Sequence, residues 1–193
     1  MNAITQIIMQ QLSGGASRTI AQRVGVSEST ANTAVQVAVP LLLAALARNA
    51  SAPQGAENLH QAINKDHDGS ILDNLTGYLG NPQSANGAGI LSHVFGGQRP
   101  AIENNLAQAT GMDQGSAGSL LETLAPVVMG AVGQAQQQNG LDPSGLSNLL
   151  NNQERQAEAN APGVMGMLNS MLDENKDGSS MDDLQRMAAN FFK

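Results

Sequence analysis

The chain has no cysteine and no tryptophan, one tyrosine and three phenylalanines. Without cysteine there are no disulfides, thiolate metal ligands or thiol nucleophile, and the redox compartment is left open. Aromatic residues make up 2% of the chain and hydrophobic residues 41%, so the core must come from Ala, Leu, Val, Ile and the nine Met. Strands draw on aromatic and β-branched residues. Small side chains suit helices that approach closely, and Met fills irregular gaps between them. The composition points to helix.

Positive charge is scarce as well. Nine Lys and Arg stand against 16 Asp and Glu, for a net charge of −7. Affinity for nucleic acid comes mainly from basic side chains that neutralise phosphate, so no nucleic-acid partner is expected. An acidic membrane surface is disfavoured for the same reason. The first residues lack the basic region and small-residue cleavage site of a secretory signal. Ile4, Ile7, Ile8 and Leu12 instead fall at the spacing of an amphipathic helix. The longest apolar run, Val37 to Ala47, is too short to span a bilayer and contains Pro40. No transmembrane segment is expected, and the cytoplasm is the default location.

What the sequence does contain is a repeat of itself. Ile20-Ala-Gln-Arg-Val-Gly25 returns as Leu106-Ala-Gln-Ala-Thr-Gly111, the glycines standing 86 positions apart. The same offset joins Pro40, in Val-Ala-Val-Pro-Leu-Leu-Leu, to Pro126, in Thr-Leu-Ala-Pro-Val-Val-Met. Upstream, Ile7-Ile-Met-Gln-Gln-Leu-Ser-Gly-Gly15 echoes Ile90-Leu-Ser-His-Val-Phe-Gly-Gly97. Downstream, Asn64-Lys-Asp-His-Asp-Gly-Ser-Ile-Leu-Asp73 matches Asp173-Glu-Asn-Lys-Asp-Gly-Ser-Ser-Met-Asp182, now with glycines 109 positions apart. The second copy therefore carries an insertion, expected in the Gln/Asn-rich stretch near 134–160.

Each copy reads as a series of short helices. Gly25 and the Gly-Gly pairs suit helix ends, Ser27 or Thr30 can cap the next helix, and Pro40 and Pro126 suit a first helical turn. Further helical patterns run over 57–63, 164–172 and 181–192. The expected fold is all-α, an array of about ten short helices from a tandem duplication of a five-helix unit. The first repeat takes residues 1–80, a linker 81–89, and the second repeat 90–193. Sequence leaves open whether that linker separates two domains or joins halves of one array.

Ile90-Leu-Ser-His-Val-Phe-Gly-Gly97, Ala107-Gln-Ala-Thr-Gly111, Leu124-Ala-Pro-Val-Val-Met-Gly130 and the final Asp-Gly-Ser-x-x-Asp-Asp-Leu together resemble the YidB-like family of bacterial proteins of unknown function. The resemblance is best over the second half and continuous, though weaker, over the first. It implies an all-helical fold and brings with it no activity and no catalytic residues.

Residues 19–36 imitate a helix-turn-helix, with Ala21, a turn at Gly25 and a Ser-led second helix. A DNA-binding regulator is the reading this suggests. A recognition helix, however, needs side chains for base edges and basic residues for phosphate. Ser27 to Val39 offers Glu28, Asn32 and Gln36 and no basic residue, and Gln114 to Leu124 offers Glu122 alone among charged residues. A compact corner between two packed helices accounts for the same pattern.

The acidic loops carry more chemistry. Asp173, Asn175 and Asp177 take loop positions 1, 3 and 5 before Gly178, with Ser179 at position 7, as in the first half of an EF-hand calcium loop. These are hard oxygen ligands, which suit calcium as the one candidate cofactor. Position 12, where a bidentate Glu is expected, is Leu184, and Asp182 and Asp183 are the nearest acids. The weaker first loop offers Asn64, Asp66, Asp68, Ser70 and Asp73. The alternative is a capped turn: Ser70-x-x-Asp73 and Ser179-x-x-Asp182 resemble capping boxes, with acids favouring the positive helix end.

His60, His67 and His93 form no ligand cluster in sequence, and no nucleophile stands in a recognisable setting. Gly130 and Gly133 fall at helical spacing and suit close packing, since no Gly-rich loop with a following Lys exists. An enzyme would need a site assembled from distant residues. The expectation is a non-catalytic interaction or structural module that is stabilised by calcium and binds a protein partner or a second copy of itself.

Overall fold

A computed structural model describes residues 3–12, 15–160 and 166. Among these residues the fold is all-helical, without a strand. The α-helices are α1 (Ala3–Leu12), α2 (Gly15–Val24), α3 (Glu28–Asn49), α4 (Pro53–Asp66), α5 (Ser70–Asp73), α6 (Leu75–Gly80), α7 (Gly87–Phe95), α8 (Arg99–Thr110), α9 (Gln114–Asn139) and α10 (Pro143–Asn160). Two 3-10 turns, Pro82–Ala85 and Gly96–Gln98, flank α7.

The helices are not uniformly short: α3 runs 22 residues and α9 runs 26. Each contains the proline that its sequence placed at a helix start. Pro40 lies inside α3 and Pro126 inside α9. A proline in a helix interior removes one N–H and clashes with the preceding turn, at a cost of about 3 kcal/mol. Tertiary burial outweighs that local cost. Leu41, Leu42, Leu43 and Ala44 follow Pro40 into the core, and Val127, Val128 and Met129 follow Pro126, all at most 4% exposed. Pro126 also leaves the carbonyl of Glu122, four residues back, without its helical donor. Gly87, the first residue of α7, packs its backbone there so closely that a Cβ would overlap the Glu122 oxygen.

α3 and α9 pack against each other and form the centre. α1, α2, α7 and α8 each pack on both of them, α10 lies on α3 and α4, and α4 also lies on α9 and α3. Buried residues of α1 to α10 form one continuous hydrophobic cluster, from Ile4 to Leu150. Fully buried Ala31, Ala34, Ala38, Ala44 and Ala47 line α3, letting neighbouring backbones come close. Residues 81–89, read in sequence as a linker, hold the first 3-10 turn and the start of α7, with Pro82 and Gly87 buried.

By length and composition α3 and α9 are both apolar enough to cross a membrane. In this fold 67% and 78% of their most apolar windows are buried against other helices. Central position in a helical core calls for the same all-round apolarity.

Local ends are well defined. Ser27 caps α3 by accepting the Thr30 N–H at 3.1 Å, and Asp113 caps α9 by accepting the Ser116 N–H at 2.9 Å. The Ser116 hydroxyl in turn donates to the Val24 carbonyl at 2.7 Å, tying the start of α9 to the end of α2. Arg48 and Glu154 form a half-buried ion pair at 3.1 Å that links α3 to α10.

Candidate functional site

The first acidic loop falls between α4 and α5. α4 ends at Asp66, and His67, as C-cap, donates its N–H to the Ile63 carbonyl at 3.0 Å. Asp68 then accepts the Ser70 N–H at 3.0 Å, closing a tight turn over Gly69. Gly69 has φ +99°, a left-handed conformation that glycine adopts without steric cost. The loop lies flat on α9. A Cβ on Gly133 would overlap the His67 carbonyl oxygen, and one on Gly130 would overlap the Ile71 side chain. The Gly130-x-x-Gly133 pair is thus a seat for backbone, and its partner is this loop as well as α5.

The candidate ligands of this loop do not converge. Asn64 turns its side chain towards α9, where its Oδ1 accepts the Gln136 amide at 2.8 Å. Its Nδ2 lies 3.2 Å from Nδ1 of His60, whose Nε2 lies 3.2 Å from the Leu141 carbonyl. This chain of contacts joins α9, α4 and the corner before α10. Asp68 is engaged by Ser70, and the hydroxyl and backbone N–H of Ser70 hold its carboxyl below the usual carboxylate range. Asp73 ends the short α5. Among the described residues no three His, Asp or Glu side chains gather as a metal site would require. Asp68 and Gly69 make the turn, but the expected capping box does not form: Gly69 stands at the N-cap of α5 without a side-chain cap bond, and Ser70 donates its N–H back to Asp68. The residues of the second loop, Asp173, Asn175, Asp177, Ser179, Asp182 and Asp183, lie outside the described residues, as do the helical patterns over 164–172 and 181–192 save for Gly166.

A depression of about 770 Å³ opens beside the first loop, lined by Asp66, Asp68, Asn74, Asn81 and Asn86 together with Ile90. His67 borders it too. Burial lowers the His67 pKa, opposed by the charges of Asp66 and Asp68, so the imidazole is neutral at pH 7. Asn86 also borders a second depression of about 660 Å³ that holds Arg23, Gln83, Ser119 and Glu122. Asn86 is the one non-glycine residue with positive φ among the described residues, at +48°, and its side chain caps α7 by accepting the Gly89 N–H at 3.3 Å. Glu122 is held from the far side by Arg99, which also bonds Glu103 at 2.6 Å.

Other side chains with chemical potential are tied into the fold. Tyr78 donates its hydroxyl to the Thr123 carbonyl at 2.8 Å, and burial pushes the phenol far above its ordinary pKa. His93 contacts the Gly89 carbonyl at 3.0 Å. The helix-turn-helix segment forms α2, a turn at Gly25 and the first turns of α3. In the first turns of α3 the exposed residues are Glu28, Ser29, Asn32, Thr33 and Gln36, and Glu28 pairs with exposed Arg18 of α2 at 3.5 Å; Arg23, at the end of α2, is exposed as well. The first turns of α3 bring no basic residue of their own for phosphate.

Two features were beyond reach in the sequence. The bond between Asn64 and Gln136 joins residues 72 apart with no shared motif. The glycine seat had a signal, helical spacing at 130 and 133, but nothing in one sequence names a loop rather than a helix as its occupant. No curated protein and no solved structure matches the chain. The model of a family described as a bacterial protein of unknown function (DUF937) matches residues 6–135, in agreement with the YidB-like resemblance. That match covers most of the chain and all of α2 through α8, and the protein belongs to this bacterial family.

Proposed function

We propose that the chain is a non-catalytic helical module, built from two diverged copies of one unit, that works by binding a protein partner or a second copy of itself. The observation that carries this reading is how the reactive side chains are engaged. His60, His93 and Tyr78 contact backbone carbonyls. Asp68 and Asp113 hold turn and helix N–H groups. Arg48 and Arg99 pair with glutamates. Catalysis calls for a nucleophile, base or acid directed at a reacting atom; these groups are directed at their own fold.

The duplication is supported by helix boundaries as well as by sequence. α3 begins at 28 and α9 at 114, the same 86 positions that separate Ser27 from Asp113 as caps and Pro40 from Pro126. Gly25 and Gly111, at the same offset, both have positive φ, at 75° and 71°. Further on, Pro53-x-Gly55-x-x-Asn58-Leu59 at the start of α4 parallels Pro143-x-Gly145-x-x-Asn148-Leu149 at the start of α10, 90 positions later. The change of offset equals the difference between a 22-residue α3 and a 26-residue α9, about one helical turn. On this reading α10 is the counterpart of α4, so the inserted residues divide: one turn extends α9 and the remainder follows Leu149. The packing has matching exchange, since α2 and α8 each touch both central helices, and α4 on α9 mirrors α10 on α3.

Calcium enters the proposal at the second loop, whose Asp173, Asn175 and Asp177 carry the ligand spacing. The first loop is assigned the role of a structural turn closed by Asp68. Size-exclusion chromatography with light scattering, run with calcium and with chelator, tests the module. A dimer, or a partner recovered on immobilised protein, supports it. A strict monomer indifferent to calcium, with no partner recovered, removes its support. Calorimetric titration with calcium beside Asp177→Ala isolates the loop: heat lost in the variant supports a site, and no heat with either protein takes calcium out of the reading.

A further inference from the structure

We draw no further inference here: the strongest candidate, the polar depression of about 770 Å³ between the first acidic loop, α6 and α7, carries nothing because its charged lining is the acidic pair Asp66 and Asp68 and nothing in the structure shows what covers it.

Discussion

Gly133→Ala should destabilise the protein although it sits in a helix interior, where alanine is ordinarily better than glycine by about 0.5–1 kcal/mol. The added methyl would overlap the His67 carbonyl oxygen and come within 3.1 Å of the His67 carbonyl carbon and of Ile63 Cγ2. A backbone carbonyl held by the cap of α4 cannot rotate away as a side-chain terminus can. The loop must lift or α9 must shift, and overpacking of this kind costs about 1–3 kcal/mol. Against the gain in helix propensity, the net loss is about 1–2 kcal/mol. For a chain of this size each kcal/mol shifts the melting temperature by about 2–4 °C. Gly130→Ala should lose less, because what it meets is the half-buried Ile71 side chain. Gly80→Ala is the control: no atom lies within 4 Å and φ is not positive, so it should gain about 0.4–1 kcal/mol. Thermal and urea denaturation followed by circular dichroism give the order, and amide exchange over 66–73 should quicken in Gly133→Ala alone. A Gly133→Ala protein that melts at or above the wild type would refute the seating of the loop on α9.

The single tyrosine and absence of tryptophan make ultraviolet titration report on Tyr78 alone. Its folded pKa is raised by burial above the unfolded value of about 10, so its stabilisation is complete below that value and lost as pH rises beyond it; tyrosinate absorbance should therefore appear together with loss of helix, and a smooth titration near pH 10 with helix intact would contradict the burial. Ser27→Ala should cost about 1 kcal/mol, read from urea midpoints, by removing the cap of α3. Glu154→Gln should cost about 0.5–1 kcal/mol at low salt and less at high salt, since the Arg48 pair is only partly shielded from water. Asp113 is held below the ordinary carboxylate range by Ser116, so the contribution of its cap should persist through neutral pH and fade as pH falls below about 4 and through the lowered folded pKa; Asp113→Ala should lower the melting temperature at pH 7 by more than it does in acid, and an effect that does not shrink on acidification would contradict the assignment.

How much of this was legible in one sequence depended on the range of the interaction. Helix content followed from composition, and ends at Gly25 and Gly111 followed from the left-handed conformation glycine accepts. Capping at Ser27 was equally local. The prolines misled because their local rule favours a first turn, whereas Pro40 and Pro126 lie within helices buried deeply enough to override it. The acidic loop shows the same division. Its Asp-Gly turn was readable, whereas the Ser70-x-x-Asp73 capping box was not formed, because Ser70 donates its N–H to Asp68 and Gly69 takes the N-cap. The rotation of Asn64 away from the loop was not, because Gln136 that holds it belongs to another helix.

The two central helices differ where it matters for that loop. Gly130 and Gly133 of α9 stand 86 positions after Ala44 and Ala47 of α3, both 0% exposed. A backbone seated as closely as His67 on Gly133 would overlap an alanine methyl, so α3 cannot take an acidic loop in the same way. α9 also has the extra turn, and Gln136, which holds Asn64, stands three residues past Gly133. At the matching place stands Ala50, the C-cap of α3, and the end of α3 is joined to α7 through Asn49, whose amide donates to the Val94 carbonyl at 2.9 Å. If the halves descend from one unit, they diverged at the surface of α9 that receives the first loop. Gly133→Ala makes α9 resemble α3 at that surface, and the loop it displaces would show how far the asymmetry rests on one methyl group.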